Sequence, residues 1–263
     1  MSRRQQLWSV YMGYVFMAVF LVAFWPIAGF VPPPDPSSGP QEIAQMFRDD
    51  TTAIRVGMVL CIFVSAVLLL WGAAISAQMK RIEGGWSPFV YAWIAATACI
   101  VIEFIYPCVW WALAAFRPTA DPEMIQRFND MAWLAFLGVA STAIVQAVIL
   151  GILTFMDKRS DPIYPRWFGY FQLWCGTLFV PAGLIFFFKD GPFAWNGLMA
   201  WWVVLTVFTA WMVVTTAMTA RAIKRQPEAE MGAAAALNGD SEVAALRGEV
   251  ERLRAEVEGI ATR

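Results

Sequence analysis

The run VGMVLCIFVSAVLLLWGAAISA, residues 56–77, decides the class of this protein. It contains no charged residue and lies between Arg55 and the basic pair Lys80-Arg81. A helix needs about 20 predominantly apolar residues to cross the hydrocarbon core of a bilayer, which is about 30 Å thick. The run is therefore long enough to form a transmembrane helix.

Comparable apolar runs occur five more times before residue 225. The chain of 263 residues is 59% hydrophobic and 15% charged, whereas soluble domains have about 45–50% apolar and about 25% charged residues. An open sheet leaves backbone groups unpaired in lipid, and the runs lack the two-residue alternation of a membrane barrel. We therefore predict an all-α polytopic membrane protein. The predicted spans are residues 7–30, 54–78, 88–116, 131–156, 167–188 and 193–219, within a membrane domain at residues 1–225.

The segment from Trp8 to Trp111 contains a unit that the rest of the membrane domain repeats. Its first apolar run ends near Trp25-Pro26, a loop rich in proline and acidic residues follows, and the second run ends at Lys80-Arg81. The pair Lys158-Arg159 ends the fourth run in the same way. This pattern predicts three helical hairpins, produced either by duplication or by the constraints that any short-looped hairpin shares.

The distribution of basic residues predicts the orientation of these hairpins. The side that carries both termini has about twice as many Lys and Arg residues as the opposite side, and short cytoplasmic loops are enriched in these residues. We therefore expect both termini to be cytoplasmic. The expected location is the bacterial cytoplasmic (inner) membrane.

The C-terminal residues have a heptad pattern. Residues 226–239 are rich in Ala and Gly and predict a flexible linker, whereas residues 240–263 have apolar residues at every a and d position. Acidic g positions would meet basic e positions on a parallel neighbour, which predicts a parallel coiled coil joining two or more copies. A lone helix on the membrane surface is the alternative, but it would need a basic polar face. The residues assigned to the interface are Val243, Leu246, Val250, Leu253, Val257 and Ile260, with Glu242, Arg247, Glu249 and Arg254 beside them.

Glu103 is the only charged residue near the middle of a predicted span. A carboxyl group at that depth is costly, so it normally faces a partner, a cavity or a water-filled path. Two interpretations stay open: a group that binds a proton or a solute, or a protonated acid whose hydrogen bond holds two helices together. Gln146, in the middle of the fourth span, is the expected hydrogen-bond partner.

Four further polar residues are candidates for a substrate site or a pore. Tyr106 follows Glu103 on the third span, and Gln172 lies on the fifth span nearer the cytoplasmic end. Thr206 and Thr209 share one stripe of the sixth span, where hydrogen bonds to their own helix compete with a role in lining a path.

The sequence contains no histidine. This excludes His-ligated haem, His-rich metal sites and histidine general bases. The four cysteines lie within apolar runs without metal-ligand spacing, and no phosphate-binding loop, dinucleotide motif or nucleophile elbow occurs. We therefore expect no metal, no cofactor and no catalytic residues, and the net charge of −1 gives no indication of a nucleic-acid partner.

These observations favour a homo-oligomeric membrane channel or transporter for a small organic or weakly charged solute. The alternative is a non-catalytic accessory or scaffold subunit of a membrane enzyme or transport complex, which would bind a second membrane subunit. A third hypothesis is a carboxylate-dependent enzyme acting on lipid. For that role the chain offers paired acids only in a loop, at Asp49-Asp50, where solvated charge is the simpler interpretation.

Overall fold

The structure is a computed structural model, and it describes residues 2–84, 87–227 and 250. All regular secondary structure in this part of the chain is helical. Six helical segments are long and apolar enough to cross a membrane, which confirms the predicted all-α class and the predicted number of such helices. These segments are Arg3–Ile27, Thr51–Glu83, Pro88–Phe116, Pro122–Met156, Arg166–Phe186 and Leu198–Lys224.

Most of these segments consist of more than one helical piece. The α-helices among the described residues are α1 (Arg3–Val22), α2 (Pro40–Asp49), α3 (Thr51–Ser65), α4 (Leu68–Glu83), α5 (Pro88–Phe116), α6 (Pro122–Gly138), α7 (Ser141–Met156), α8 (Arg166–Phe179) and α9 (Val204–Lys224). A π-helical segment, Ala23–Ile27, continues α1, and another, Leu198–Val203, leads into α9. A 3₁₀ segment, Val180–Phe186, continues α8.

Proline accounts for two of these changes in helical geometry. Pro26 lies inside the first π segment, and Pro181 lies at the start of the 3₁₀ segment. A proline inside a helix removes a backbone hydrogen bond and clashes with the preceding turn. The interruptions between α3 and α4 and between α6 and α7 contain no proline. Beside the first of them, the Ser65 hydroxyl donates to the Cys61 carbonyl oxygen at 2.7 Å, a bond that often accompanies bends.

Helix α5 is the spanning segment that remains a single α-helix over its whole length. Pro107 lies inside it, yet the helix continues to Phe116. Helix α5 packs against α3, α4, α6 and α7, whereas α1 packs against α3, α4 and α9. The helix that carries Glu103 is therefore held by neighbours on several sides.

Small residues allow some of these helices to approach closely. A Cβ atom added at Gly72 of α4 would lie 2.4 Å from Cγ2 of Thr97 on α5. One added at Gly13 of α1 would lie 2.5 Å from Cδ1 of Trp71. Atoms at such distances overlap, so both positions require glycine for the observed packing. Close contact through small residues is the usual way in which membrane helices associate.

Helix α2 and the first turns of α6, which lie between apolar spans predicted from the sequence, also belong to the packed structure. The apolar face of α2, which includes Ile43 and Phe47, is buried, and α2 contacts α6. Asp121 caps α6 by accepting a hydrogen bond from the backbone N–H of Glu123 at 2.9 Å. Helix α6 therefore begins at Pro122, so the spanning segment Pro122–Met156 is longer than the predicted span at residues 131–156.

The last span also differs from its predicted bounds. Its helical structure begins at Leu198 rather than at residue 193. Gly197 has extended backbone angles, and a Cβ atom there would lie 2.3 Å from the carbonyl oxygen of Gly191. A tight turn therefore occupies residues 193–197, which lie within the sixth span predicted from the sequence. The predicted linker and coiled coil at residues 226–263 lie outside the described residues, except for Gln226, Pro227 and Val250.

Candidate functional site

A cavity of about 90 Å³ lies among the helices beside Glu103, and we call it the aromatic cavity. Apart from Glu103, every described side chain that lines it is apolar. Helices α1, α5, α6, α7, α8 and α9 and both π segments contribute to its wall. Its phenylalanines are Phe16, Phe20, Phe24, Phe104, Phe136, Phe179 and Phe208.

Phe104, the residue after Glu103, is at the centre of the aromatic wall. Its ring centroid lies 5.0 Å from that of Phe16, 5.1 Å from that of Phe20 and 5.7 Å from that of Phe136. The ring planes meet at 70° to 75°, the edge-to-face arrangement that the aromatic quadrupole favours. These contacts hold the Phe104 ring in place next to the only carboxyl group of the cavity.

The irregular segments supply part of the cavity wall. Phe24 and Trp25 belong to the first π segment, Ala140 lies at the interruption between α6 and α7, and Trp201 belongs to the second π segment. Long regular helices pack closely along their length, whereas a local change of helical geometry turns side chains away from that packing. Such π turns occur frequently at functional sites.

Glu103 forms one hydrogen bond within the described part of the chain. The Thr142 hydroxyl of α7 donates to its Oε2 atom at 2.5 Å. Among residues 2–84 and 87–227, no Lys or Arg forms an ion pair with this carboxyl group. A carboxyl group inside a membrane must be protonated or must meet a cation. The protein supplies a hydrogen-bond donor here but no counter-ion.

Gln146 does not bond to Glu103, so this prediction is wrong. Its amide Nε2 donates to Thr97 Oγ1 at 2.8 Å, six residues before Glu103 on α5. Thr142 lies one turn before Gln146 on the same face of α7, and the register between the helices places Thr142 at the carboxyl group. The i, i+4 relation of Thr142 to Gln146 was visible in the sequence and could have identified this second donor.

Gln172 belongs to a separate buried polar cluster. Its Nε2 donates to Thr215 Oγ1 at 2.9 Å, and its Oε1 accepts from Trp211 Nε1 at 2.6 Å. Close by, Trp71 Nε1 donates to Thr216 Oγ1 at 2.9 Å. These bonds join α8 to α9 and α4 to α9, and none of these residues lines the aromatic cavity. The cluster satisfies buried polar groups and holds the helices together.

The remaining candidates lie away from the aromatic cavity. Tyr106 is 54% exposed. Thr206 and Thr209 donate to the carbonyl oxygens of Trp202 and Leu205 in their own helix, at 2.7 and 2.8 Å. Of the six residues proposed from the sequence, Glu103 alone lines the cavity. The residues that accompany it are apolar side chains whose proximity no linear motif indicates.

One side of the aromatic cavity reaches the outer surface of the helix bundle. Trp25 lines the cavity and is 50% exposed. Leu21, Val204 and Leu205 also line the cavity and are half-buried. All four of these side chains are uncharged and largely apolar. We call these four residues the lateral rim.

The chemistry available at the cavity is that of one carboxyl group, one hydroxyl donor and an aromatic wall. Among the described residues, no group of three or more His, Cys, Asp or Glu side chains could hold a metal ion.

Comparisons with protein-family models, with curated proteins and with solved structures find no match to this chain.

Proposed function

We propose that this chain is a membrane transporter for a small organic or weakly charged solute and that the aromatic cavity is its binding site. The observation that carries the proposal is the position of Glu103, a carboxyl group without a counter-ion in an otherwise apolar cavity. Ligand sites are mostly apolar and contain a few polar groups that fix the orientation of the ligand. Glu103 and the aromatic wall have this composition.

The size of the cavity restricts the solute. An apolar cavity of about 150 Å³ is large enough to hold benzene, and the aromatic cavity measures about 90 Å³. A ligand of only a few heavy atoms would therefore fit without rearrangement, whereas an aromatic ligand requires phenylalanine rings to move. A site that enlarges when it is loaded is expected of a transporter that alternates between conformations.

The interrupted helices support a transporter more than a channel. Secondary transporters often bind their substrates near the middle of the membrane, where helices are discontinuous. Here both π segments and the interruption between α6 and α7 line the cavity that contains Glu103, and the cavity is formed by helices of a single chain. In the proposed arrangement each copy has its own binding site, and no path along a symmetry axis between copies is required.

The proposed transporter consists of three helical hairpins with both termini in the cytoplasm. Lys80 and Arg81 in the last turn of α4, and Arg221 and Lys224 in the last turn of α9, support this orientation in a bacterial inner membrane. The heptads at residues 240–263 would join the cytoplasmic tails of two or more copies as a parallel coiled coil.

Efflux from proteoliposomes tests the transport function. The full chain would be reconstituted into vesicles loaded with one of three organic solutes: phenyltrimethylammonium, benzenesulfonate or erythritol. We expect at least one solute to leave faster than from vesicles without protein. Ala143→Leu, which adds carbon atoms to the cavity wall, should abolish the difference, because Ala143 lines the cavity.

Gly183→Ala is the matched control, because an added Cβ atom there meets nothing within 4 Å. This variant should release the solute at the rate of the unmodified protein. Efflux at the rate of empty vesicles for all three solutes would contradict the proposal. Equal efflux through the Ala143→Leu variant and the unmodified protein would contradict the assignment of the site.

A further inference from the structure

We propose that the ligand of the aromatic cavity is a compact lipophilic organic cation, a protonated amine or quaternary ammonium, which reaches Glu103 from the bilayer through the lateral rim. This inference rests on the proposed function, and it adds the sign of the charge, the nature of the body and the route of entry. Three features of the cavity support it: the incomplete bonding of the carboxyl group, the aromatic wall and the apolar surface of the rim.

The bonding of Glu103 leaves one acceptor atom available. Oε2 accepts a hydrogen bond from Thr142, whereas Oε1 accepts none within the described part of the chain. Among the described residues, no Lys or Arg lines the cavity. An ammonium group would supply a donor to Oε1 and the positive charge that the ionised carboxylate requires, and its binding would release the carboxyl proton. An anion would be repelled by the carboxylate, and a neutral ligand would leave the carboxyl group protonated.

The aromatic wall attracts the same class of ligand. The face of an aromatic ring carries negative potential, and a cation within about 6 Å of the ring centre is attracted to it. Phe104 follows Glu103 in the chain and packs edge-to-face against Phe20 and Phe136. Glu103 and these rings line the same cavity, so a cation bound in it would have aromatic side chains in the surrounding wall.

The lateral rim determines the route and the body of the ligand. Trp25 is half exposed, and the other residues of the lateral rim, Leu21, Val204 and Leu205, are apolar and half-buried. A strongly hydrated ion would lose its water on this route without compensation, whereas a ligand with an apolar body would not. The volume of about 90 Å³ holds a short branched alkyl group without rearrangement, and it holds a single aromatic ring only after phenylalanine rings of the wall have moved.

Binding of three probes with the same aromatic body tests the inference: benzylammonium, benzyl alcohol and benzoate. The full chain in lipid nanodiscs would be titrated with each probe at neutral pH by calorimetry. We expect benzylammonium to bind roughly tenfold more tightly than benzyl alcohol, because the ion pair and the ring faces act on the cation alone. Benzoate should bind more weakly than either.

Variants connect this preference to the carboxyl group. Glu103→Gln should remove the preference for benzylammonium and retain binding of benzyl alcohol. Glu123→Gln, which changes an exposed acid near the start of α6, should behave as the unmodified protein. Glu103→Asp retains a carboxyl group at this position, so it should preserve the preference for benzylammonium. If Glu103→Gln does not fold, the comparison of the three probes on the unmodified protein retains the test.

The outcomes separate this inference from the proposed function. Equal binding of benzylammonium and benzyl alcohol by the unmodified protein would mean that Glu103 only holds α5 to α7 and would overturn the inference. Tighter binding of benzoate would overturn it as well. Either result is compatible with efflux of a neutral or anionic solute from proteoliposomes, so the transport function could stand alone. Absence of efflux for every solute would instead remove the function on which the inference rests.

Discussion

The contact between Gly72 and Thr97 allows the packing of three helices to be tested by adding one methyl group. In Gly72→Ala the new Cβ atom would lie 2.4 Å from Cγ2 and 2.6 Å from Oγ1 of Thr97. Thr97 must move, yet its hydroxyl accepts from Gln146 at 2.8 Å and donates to the Trp93 carbonyl oxygen at 2.8 Å. The substitution therefore affects α4, α5 and α7 together.

The magnitude follows from three contributions. Overpacking costs about 1–3 kcal/mol, and loss of the hydrogen bond between Gln146 and Thr97 costs about 0.5–1.5 kcal/mol. Alanine stabilises a helix interior by about 1 kcal/mol relative to glycine. The net expectation for Gly72→Ala is a loss of about 0.5–3.5 kcal/mol in the free energy of unfolding. For a chain of this size, this corresponds to a decrease in Tm of roughly 2–4 °C per kcal/mol.

Thermal unfolding in mild detergent, followed by near-ultraviolet circular dichroism, measures this effect. Gly183→Ala is the control, since its Cβ atom meets nothing within 4 Å, and its Tm should change little. Thr97→Ala removes the atoms that clash, so Gly72→Ala should cost much less in that background than in the unmodified chain. The reasoning would be refuted if Gly72→Ala had the same Tm as Gly183→Ala, or if Thr97→Ala did not reduce its cost.

Three further predictions concern other parts of the molecule. Gln172→Leu removes two buried hydrogen bonds and should lower the free energy of unfolding by about 1–3 kcal/mol in the same assay; an unchanged Tm would contradict this. Leu246→Asp combined with Leu253→Asp should decrease the mass of the particle in mild detergent without altering its helix content, whereas an unchanged mass would mean that the tail does not join the copies. Burial raises the pKa of the Tyr164 phenol despite the opposing effect of its hydrogen bond to Thr219. The neutral phenol is thus favoured in the folded state, so stability should fall as the pH rises above about 10, where the unfolded chain begins to ionise. Tyr164→Phe should weaken this fall, measured as Tm against pH.

The fold class could be predicted from the sequence because the thickness of a bilayer sets the length of an apolar run. The run at residues 56–77 has the length and composition of a membrane-spanning helix, and the other five segments were recognisable by the same criterion. The changes in helical geometry were only partly predictable. Pro26 and Pro181 indicated two of them, but the interruption after Ser65 and the one after Gly138 depend on tertiary packing. At Gly138, for example, an added Cβ atom would lie 2.4 Å from the ring of Phe186.

The site was partly predictable for a similar reason. Glu103 could be identified because a carboxyl group is rare in an apolar run, whereas a phenylalanine in such a run is ordinary. Phe16, Phe20 and Phe24 recur every fourth residue on the first span, and this stripe was the available signal for one wall of the cavity. The remaining wall comes from helices distant in sequence, and their relative positions depend on packing that no local pattern encodes.

The contrast between α5 and its neighbours suggests which parts would move during transport. Helix α5 carries Glu103, is continuous from Pro88 to Phe116 and packs against four other helices. The elements opposite it change helical geometry beside the cavity, at Ala23–Ile27, at Ala140 and at Leu198–Val203. Altering the geometry of a short irregular segment disturbs fewer backbone hydrogen bonds than bending a continuous helix. We therefore expect the carboxyl group to remain fixed on α5 while the interrupted helices change the size and access of the aromatic cavity around it.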